Sequence, residues 1–267
     1  GIYALFIEPN RLEVVRQRVT IDAWPADAPP LRLVHLSDLQ TVGPCARDER
    51  AAELVNALQP DVIVFTGDYA AGPFGGTDAD EPAVAEARRF LARLHPKLAL
   101  VCIEGHSERG AHRRQIFAGL DLAYLEDAEL ELDLEDGRRL RIFGLKAYDA
   151  DLASFEAREE PGLATLFASH VPDLSGELDG LGVDLHLAGH THGGQVALPF
   201  IGAPLTLSNL PRKYARGLHR FGDHWLNVSP GIGMEGNHAP RFRFLCPPEI
   251  DCIELVGGGP AGSRVGS

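Results

Sequence analysis

An α/β fold is what this sequence predicts, and three observations predict it. Short apolar runs recur along the chain, stretches of helical period lie between several of them, and no internal repeat points to another architecture. The 267 residues can bury a core as one domain or at most two. One domain of layered sheets flanked by helices is expected over residues 1–256, followed by a flexible tail, GGGPAGSRVGS (257–267).

The elements follow in order. RLEVVRQRVTI (11–21) alternates as a strand with one wet face should. LRLVHL (31–36), DVIVFT (61–66), LALVCI (98–103), RLRIFGL (139–145), ATLFA (164–168) and VDLHLA (183–188) are continuous apolar runs of strand length, as strands buried on both faces require. RDERAAELVNAL (47–58), stopped by Pro60, and EPAVAEARRFLARL (81–94), with Pro82 in its first turn, have helical patterns. HWLNVSP (224–230) and EIDCIELV (249–256) add strands toward the end. The acidic patches DADE (78–81) and EDAELELDLED (126–136) are expected to be solvated faces.

Composition narrows the function classes. A hydrophobic content of 45% with 24% charged residues is that of an ordinary globular protein. The net charge of −13 argues against a nucleic-acid partner, because phosphate backbones require a basic surface. The four cysteines show no CxxC spacing, and Cys102 and Cys252 sit in apolar runs, so buried thiols are expected. No stretch reaches the ~18 apolar residues of a membrane span. The chain opens at Gly1 and its only methionine is Met234, so an upstream segment is expected, with GIYALFI as the stub of a membrane anchor or signal segment.

The chemistry gathers at strand ends. LRLVHL runs into Ser37–Asp38, DVIVFT into Gly67–Asp68, LALVCI into Glu104–Gly105–His106, ATLFA into Ser169–His170, and VDLHLA into Gly189–His190–Thr191–His192. Ligands of α/β sheets bind beyond the carboxyl ends of strands, so these groups are placed to converge. Aspartate with histidine suits divalent ions of the manganese, iron or zinc type. Any one of these residues alone would be a turn, a cap or a structural group; five strand ends of this kind together are not. His35 and His186 lie within apolar runs and are expected in the core, whereas His95, His112, His219, His224 and His238 are expected at the surface. No GxSxG elbow and no GxxxxGK[ST] loop is present.

HLSDLQ, PDVIVFTGDY, SHVPD, GHTHGGQ and the later YARGLHRFGDHWLNVSPGIG and CPPEIDCIEL together resemble the calcineurin-like metallophosphoesterases, over almost the whole chain. The similarity is greatest to the bacterial membrane-associated branch of YkuE-like enzymes and UDP-diacylglucosamine pyrophosphatases. It implies a four-layer α/β/β/α sandwich of two mixed sheets. It also implies two divalent metal ions, manganese foremost and iron or zinc otherwise. Asp38, Gln40, Asp68 and His192 would hold one ion; Asp68, an asparagine, His170 and His190 would hold the other. His106 would protonate the leaving oxygen.

The pattern is broken at two places. The family's DxH is Asp38–Leu39–Gln40 here, a carboxamide in place of an imidazole. The family's GNHD is Glu104–Gly105–His106–Ser107: either the asparagine has become Gly105 or one residue is missing after Gly105. Glu104 or Glu108 would then turn inward, or water would fill the place. Restoring the pattern through Gln40→His with Gly105→Asn is expected to tighten metal retention. Three readings follow: a working phosphoesterase, an enzyme that binds one ion and acts slowly, or a degenerate binding module. The segment VALPFIGAPLTLSNLPRKYARGLHR (196–220) joins an apolar part to Arg212, Lys213, Arg216 and Arg220. It suits a lipid-linked phosphate ester or a membrane surface, or else Leu198, Phe200, Ile201 and Leu205 simply cover the sheet. The loop YAAGPFGGTDADEP (69–82) is expected to wall the cleft.

Overall fold

The computed structural model describes residues 1–72, 79–108, 115–148, 150–236 and 241–259. Two six-stranded sheets stack face to face. The first is ordered β1-β12-β2-β3-β4-β5, from β1 (Glu13–Pro25), β2 (Leu31–Leu36), β3 (Val62–Phe65), β4 (Ala99–Ile103), β5 (Ala123–Leu125) and β12 (Glu249–Gly259). The second is ordered β10-β11-β9-β8-β7-β6, from β6 (Ala128–Asp133), β7 (Arg139–Gly144), β8 (Leu163–Ala168), β9 (Leu185–Ala188), β10 (Gly217–Phe221) and β11 (His224–Val228). Both are mixed: β2, β3, β4 and β5 run parallel, as do β7, β8, β9 and β11, while β12 pairs antiparallel with β2 and β6 with β7.

Period-two alternation builds the layers. On β2, Leu31 and Leu33 face the second sheet, where Leu140, Ile142, Leu166, Leu185 and Leu187 meet them. Val34 and Leu36 face outward onto α1 (Ala46–Ala57) and α2 (Glu81–Ala92), whose Val55, Ala83, Ala87 and Phe90 complete that core. Asp80 caps α2, accepting from the Ala83 amide at 3.0 Å. The outer face of the second sheet, Phe143 and Phe167, is covered by Phe155, by Leu178 and by a 3-10 turn at Pro172–Glu177.

Several expectations change. β12 continues through Gly257–Gly259 beside β1, so the ordered domain reaches three residues into the expected tail; residues 260–267 lie outside the described ones. The acidic patch at 126–136 is not a featureless solvated face but the edge strand β6. Its Leu130 and Leu132 pack on the inter-sheet core, and Glu129 and Glu131 pair with Arg141, Arg139 and Arg158. His224 is fully buried rather than exposed. The turn before β11 folds its ring beside Phe221 (5.8 Å), with Nδ1 3.3 Å from Asp223. Cys102 and Cys252 are buried free thiols. Among the described residues no helix is long and apolar enough to cross a membrane.

His35 and His186 are core groups. His186 lies between the hydroxyls of Ser169 (2.7 Å) and Ser175 (2.9 Å). His35 bridges the two sheets, with Nδ1 accepting from Asn227 Nδ2 (2.8 Å) and Nε2 2.9 Å from Thr66 Oγ1. Burial drives its pKa down to about 3, which keeps the ring neutral. Asn227→Leu would leave His35 Nδ1 buried without its donor. The expected cost is about 1–3 kcal/mol of folding stability, read by urea unfolding, and unchanged stability would refute the bridge.

Candidate metal centre

Beyond β2, β3, β4, β8 and β9, at one rim of the sandwich, the seven residues singled out by the sequence come together. Asp38, Asp68 and His170 each present a ligand atom within 4.8 Å of the other two, and so do His106, His170 and His190. His192 Nε2 is 3.3 Å from Asp38 Oδ1 and 3.3 Å from the Gln40 amide nitrogen. Strands parallel within each sheet deliver their carboxyl ends to the same rim, which is why residues 150 positions apart in sequence can share one site.

The backbone there is bent out of its ordinary regions. Asp38, Gln40, Asp68, His190 and His192 all have positive φ, between 38° and 66°. Such conformations cost of order 1–3 kcal/mol each and persist only where surroundings fix them. Asp38 N donates to Gly67 O (3.0 Å) and Gln40 N to Asp68 O (2.9 Å), tying two metal-side loops together. Behind Asp38, Ile232 N donates to Ser37 O and Gly233 N to Asp38 O. Arg243, fully buried, fastens that loop by donating to Pro230 O (2.7 Å), Gly231 O (3.1 Å) and Gly233 O (2.7 Å). The SPGIG segment and Arg243 thus have a positioning role that their sequence did not reveal.

Glu108 is the other anchor. It turns inward, fully buried, and accepts from the amides of Asp68 (3.0 Å), Tyr69 (2.8 Å) and Gly105 (2.8 Å) and from the Ser107 hydroxyl (2.6 Å). Its oxygens are spent on holding the β3 and β4 loops together. The close approach requires glycine at both contact points: a Cβ at Gly105 would collide with Asp68 N and Oδ1, and one at Gly67 with the Gly105 backbone. No side chain stands at 105 in this backbone. The expectation that Gly105→Asn would help restore a ligand is therefore corrected: the loop has closed over the place.

Electrostatics favours a cation. Burial pushes Asp38 up to about 7, with the neighbouring Asp68 carboxylate adding to the effect. Burial would raise Asp68 as well, but the paired His170, 3.5 Å away, holds it well below the usual carboxylate range. Burial opposes protonation of His170, yet Asp68 prevails and carries it up to about 10. Protons thus supply the positive charge these carboxylates require. His190 is driven down to about 4 by burial and by His170, and His192 well below its ordinary value by burial and by Arg243, so both rings keep a lone pair.

The hydrogen bonds aim the rings. His170 Nδ1 donates to Thr66 O (2.7 Å), which turns Nε2 toward Asp68; His190 Nε2 is engaged by Leu207 O at 3.0 Å. Asp38 Oδ1, Gln40 Oε1 and His170 Nε2 are buried without a hydrogen-bond partner. Gln40 points its nitrogen at Asp68 Oδ2 (3.0 Å), and half a turn of the amide exchanges that nitrogen for Oε1. Two buried carboxylates, the neutral imidazoles of His190 and His192, and the unpartnered oxygens Asp38 Oδ1 and Gln40 Oε1 together fit a divalent cation.

The model of the calcineurin-like phosphoesterase family matches residues 31–194, more than half of the chain. The chain belongs to the calcineurin-like phosphoesterases. As a metallophosphoesterase it is a hydrolase of a family that uses divalent metals. It is 29% identical to the metallophosphoesterase YkuE of Bacillus subtilis, over 95% of this chain and 88% of that one. Identity to the phosphodiesterase YaeI of Escherichia coli is 25%, over 95% and 92%. For the UDP-2,3-diacylglucosamine pyrophosphatase LpxG of Chlamydia trachomatis it is 24%, over 93% and 91%.

The loop at 69–82 is described at its two ends only, and residues 73–78, where it would wall the cleft, lie outside the described ones. The Glu108 geometry yields a test. Gly105→Asn is expected to lower stability by about 1–3 kcal/mol, the range for overpacking, and to weaken metal retention. Thermal unfolding and elemental analysis read the two effects; tighter retention at unchanged stability would contradict the packing described.

Proposed function

We propose that this metallophosphoesterase hydrolyses a lipid-linked phosphodiester or pyrophosphate ester, with manganese at Asp38, Gln40, Asp68 and His192 and at Asp68, His170 and His190. The observation that carries the reading is the convergence of buried carboxylates and imidazoles from five strand ends on one rim. Carboxylate and carboxamide oxygens mixed with imidazole suit manganese better than a thiolate-preferring ion. Divalent cations in such a site offset phosphoryl charge and acidify a water for attack on phosphorus. The chain's own contribution is positional. Asp68 is pinned by Ser107 N (2.9 Å) at Oδ1, which sets Oδ2 between Gln40 (3.0 Å) and His170 (3.5 Å), and its charge would offset the repulsion between two cations.

Support for a lipid comes from the loop that leaves the site. Leu198, Phe200, Ile201, Leu205 and Leu207 are exposed, Phe200 completely, instead of covering the sheet. Leu207 itself holds His190. Exposed Ile2, Leu5, Phe6 and Ile7 belong to a helical turn tied to the same region, because Ala4 O accepts from Arg243 N and Phe244 N donates to Gln195 O. Apolar surface contiguous with a phosphate-handling site, with exposed Arg212 and Lys213 nearby, suits acyl chains and an anionic headgroup, or a membrane surface that presents them. A pyrophosphatase acting on a diacylated nucleotide sugar among the relatives agrees with this choice.

Two measurements test the reading together: metal content of the purified protein, and hydrolysis of an aryl phosphodiester with and without added manganese. Bound metal and manganese-dependent turnover are expected, with faster turnover on a diacylated pyrophosphate in detergent micelles. Asp68→Asn should abolish activity and reduce metal content at once. Less than half an equivalent of metal with no turnover would identify a degenerate binding module instead.

A further inference from the structure

The β4 loop has lost the asparagine side chain that the resemblance requires, yet the same loop brings a different donor to the place. The His106 ring centre lies 4.9 Å from that of His170 and 4.9 Å from that of His190, at interplanar angles of 89° and 78°. His170 and His190 are 5.2 Å apart at 67°. Three rings set edge to face in this way surround a common point, and one nitrogen of each lies within 4.8 Å of the others. Imidazole nitrogens around one ion at ~2.1 Å stand at most ~4.2 Å apart, so small ring rotations close the set.

His106 is held in that pose from both sides of its backbone. Tyr148 Oη donates to the His106 carbonyl oxygen, and the next amide, Ser107 N, donates to Asp68 Oδ1 at 2.9 Å. Glu108 then locks the loop against β3. The tight loop that bars a side chain at Gly105 also carries the neighbouring His106 ring to 4.9 Å from those of His170 and His190.

We infer that His106 is a metal ligand, joining Asp68, His170 and His190 in the second cation site in place of the asparagine, and is not the proton donor of the reaction. The inference rests on the two-cation reading above. Its chemical consequence is a second site richer in nitrogen and poorer in oxygen than the first.

The test is a count of bound ions. Protein stripped by a chelator is titrated with Mn2+, free Mn2+ being read by its EPR signal, beside His106→Ala and the volume-conserving His106→Gln. Wild type is expected to take up two equivalents. Both variants are expected to keep one and to hold the other more than about 100-fold more weakly, since losing a group that merely supports a ligand costs about 10- to 100-fold. Pulsed EPR of bound Mn2+ should lose one coupled imidazole nitrogen in His106→Gln. Two tight equivalents in a folded variant would overturn the assignment, whatever happens to turnover. One equivalent in wild type, retained by both variants, would overturn it too while leaving the Asp38–Asp68 site standing. No bound Mn2+ in wild type would overturn the two-cation reading as well, before any variant is made.

Discussion

Two carboxylates buried side by side at a sheet rim are the constraint from which the rest of this structure follows. Asp38 and Asp68 are both withdrawn from solvent, and charges so placed persist only with positive partners or hydrogen-bond donors around them. The surroundings supply both. Asp68 has His170, the Ser107 amide and the Gln40 amide; Asp38 has the His190 backbone amide at Oδ2, while its Oδ1 has no hydrogen-bond partner. One of the five left-handed residues of the site, His190, turns its own amide to Asp38 Oδ2 at 3.0 Å. Strain in the backbone and charge in the interior are two sides of one arrangement.

Below the rim, the sandwich carries the site on a polar thread. Asn227 of one sheet reaches His35 of the other, His35 reaches the Thr66 hydroxyl, and the Thr66 carbonyl receives His170. A hydrogen-bonded thread in an otherwise apolar interface fixes the sliding of one sheet over the other more sharply than aliphatic packing alone. The two sheets contribute different ligands, so their relative register sets the spacing of the metal groups. Arg243 and Glu108 do the same for the loops, one gathering carbonyls and the other amides.

Much of this was legible in the sequence. Buried parallel strands are continuous apolar runs, and β2 coincides with its run residue for residue. The strand-end aspartates and histidines followed directly, because the rule that places ligands at carboxyl ends needs only the strand assignment. What escaped has physical causes. The strand β5 is three residues long, and β10 is only half buried, so neither leaves a periodic signal. The edge strand β6 alternates glutamate with leucine, and its charge masked its period. Arg243 gave no signal, since a buried arginine that binds carbonyls is indistinguishable in sequence from a surface one. The inward turn of Glu108 was one of two candidates, and only the packing of Gly105 on Asp68 separates them.

That packing also bears on how such a site can change over generations. A loop knotted this tightly through Glu108 offers no single codon whose replacement reinstates the lost amide, because the backbone itself occupies the volume. The β4 loop therefore confines tolerated change to the groups around it, because position 105 admits nothing larger than glycine unless the backbone shifts.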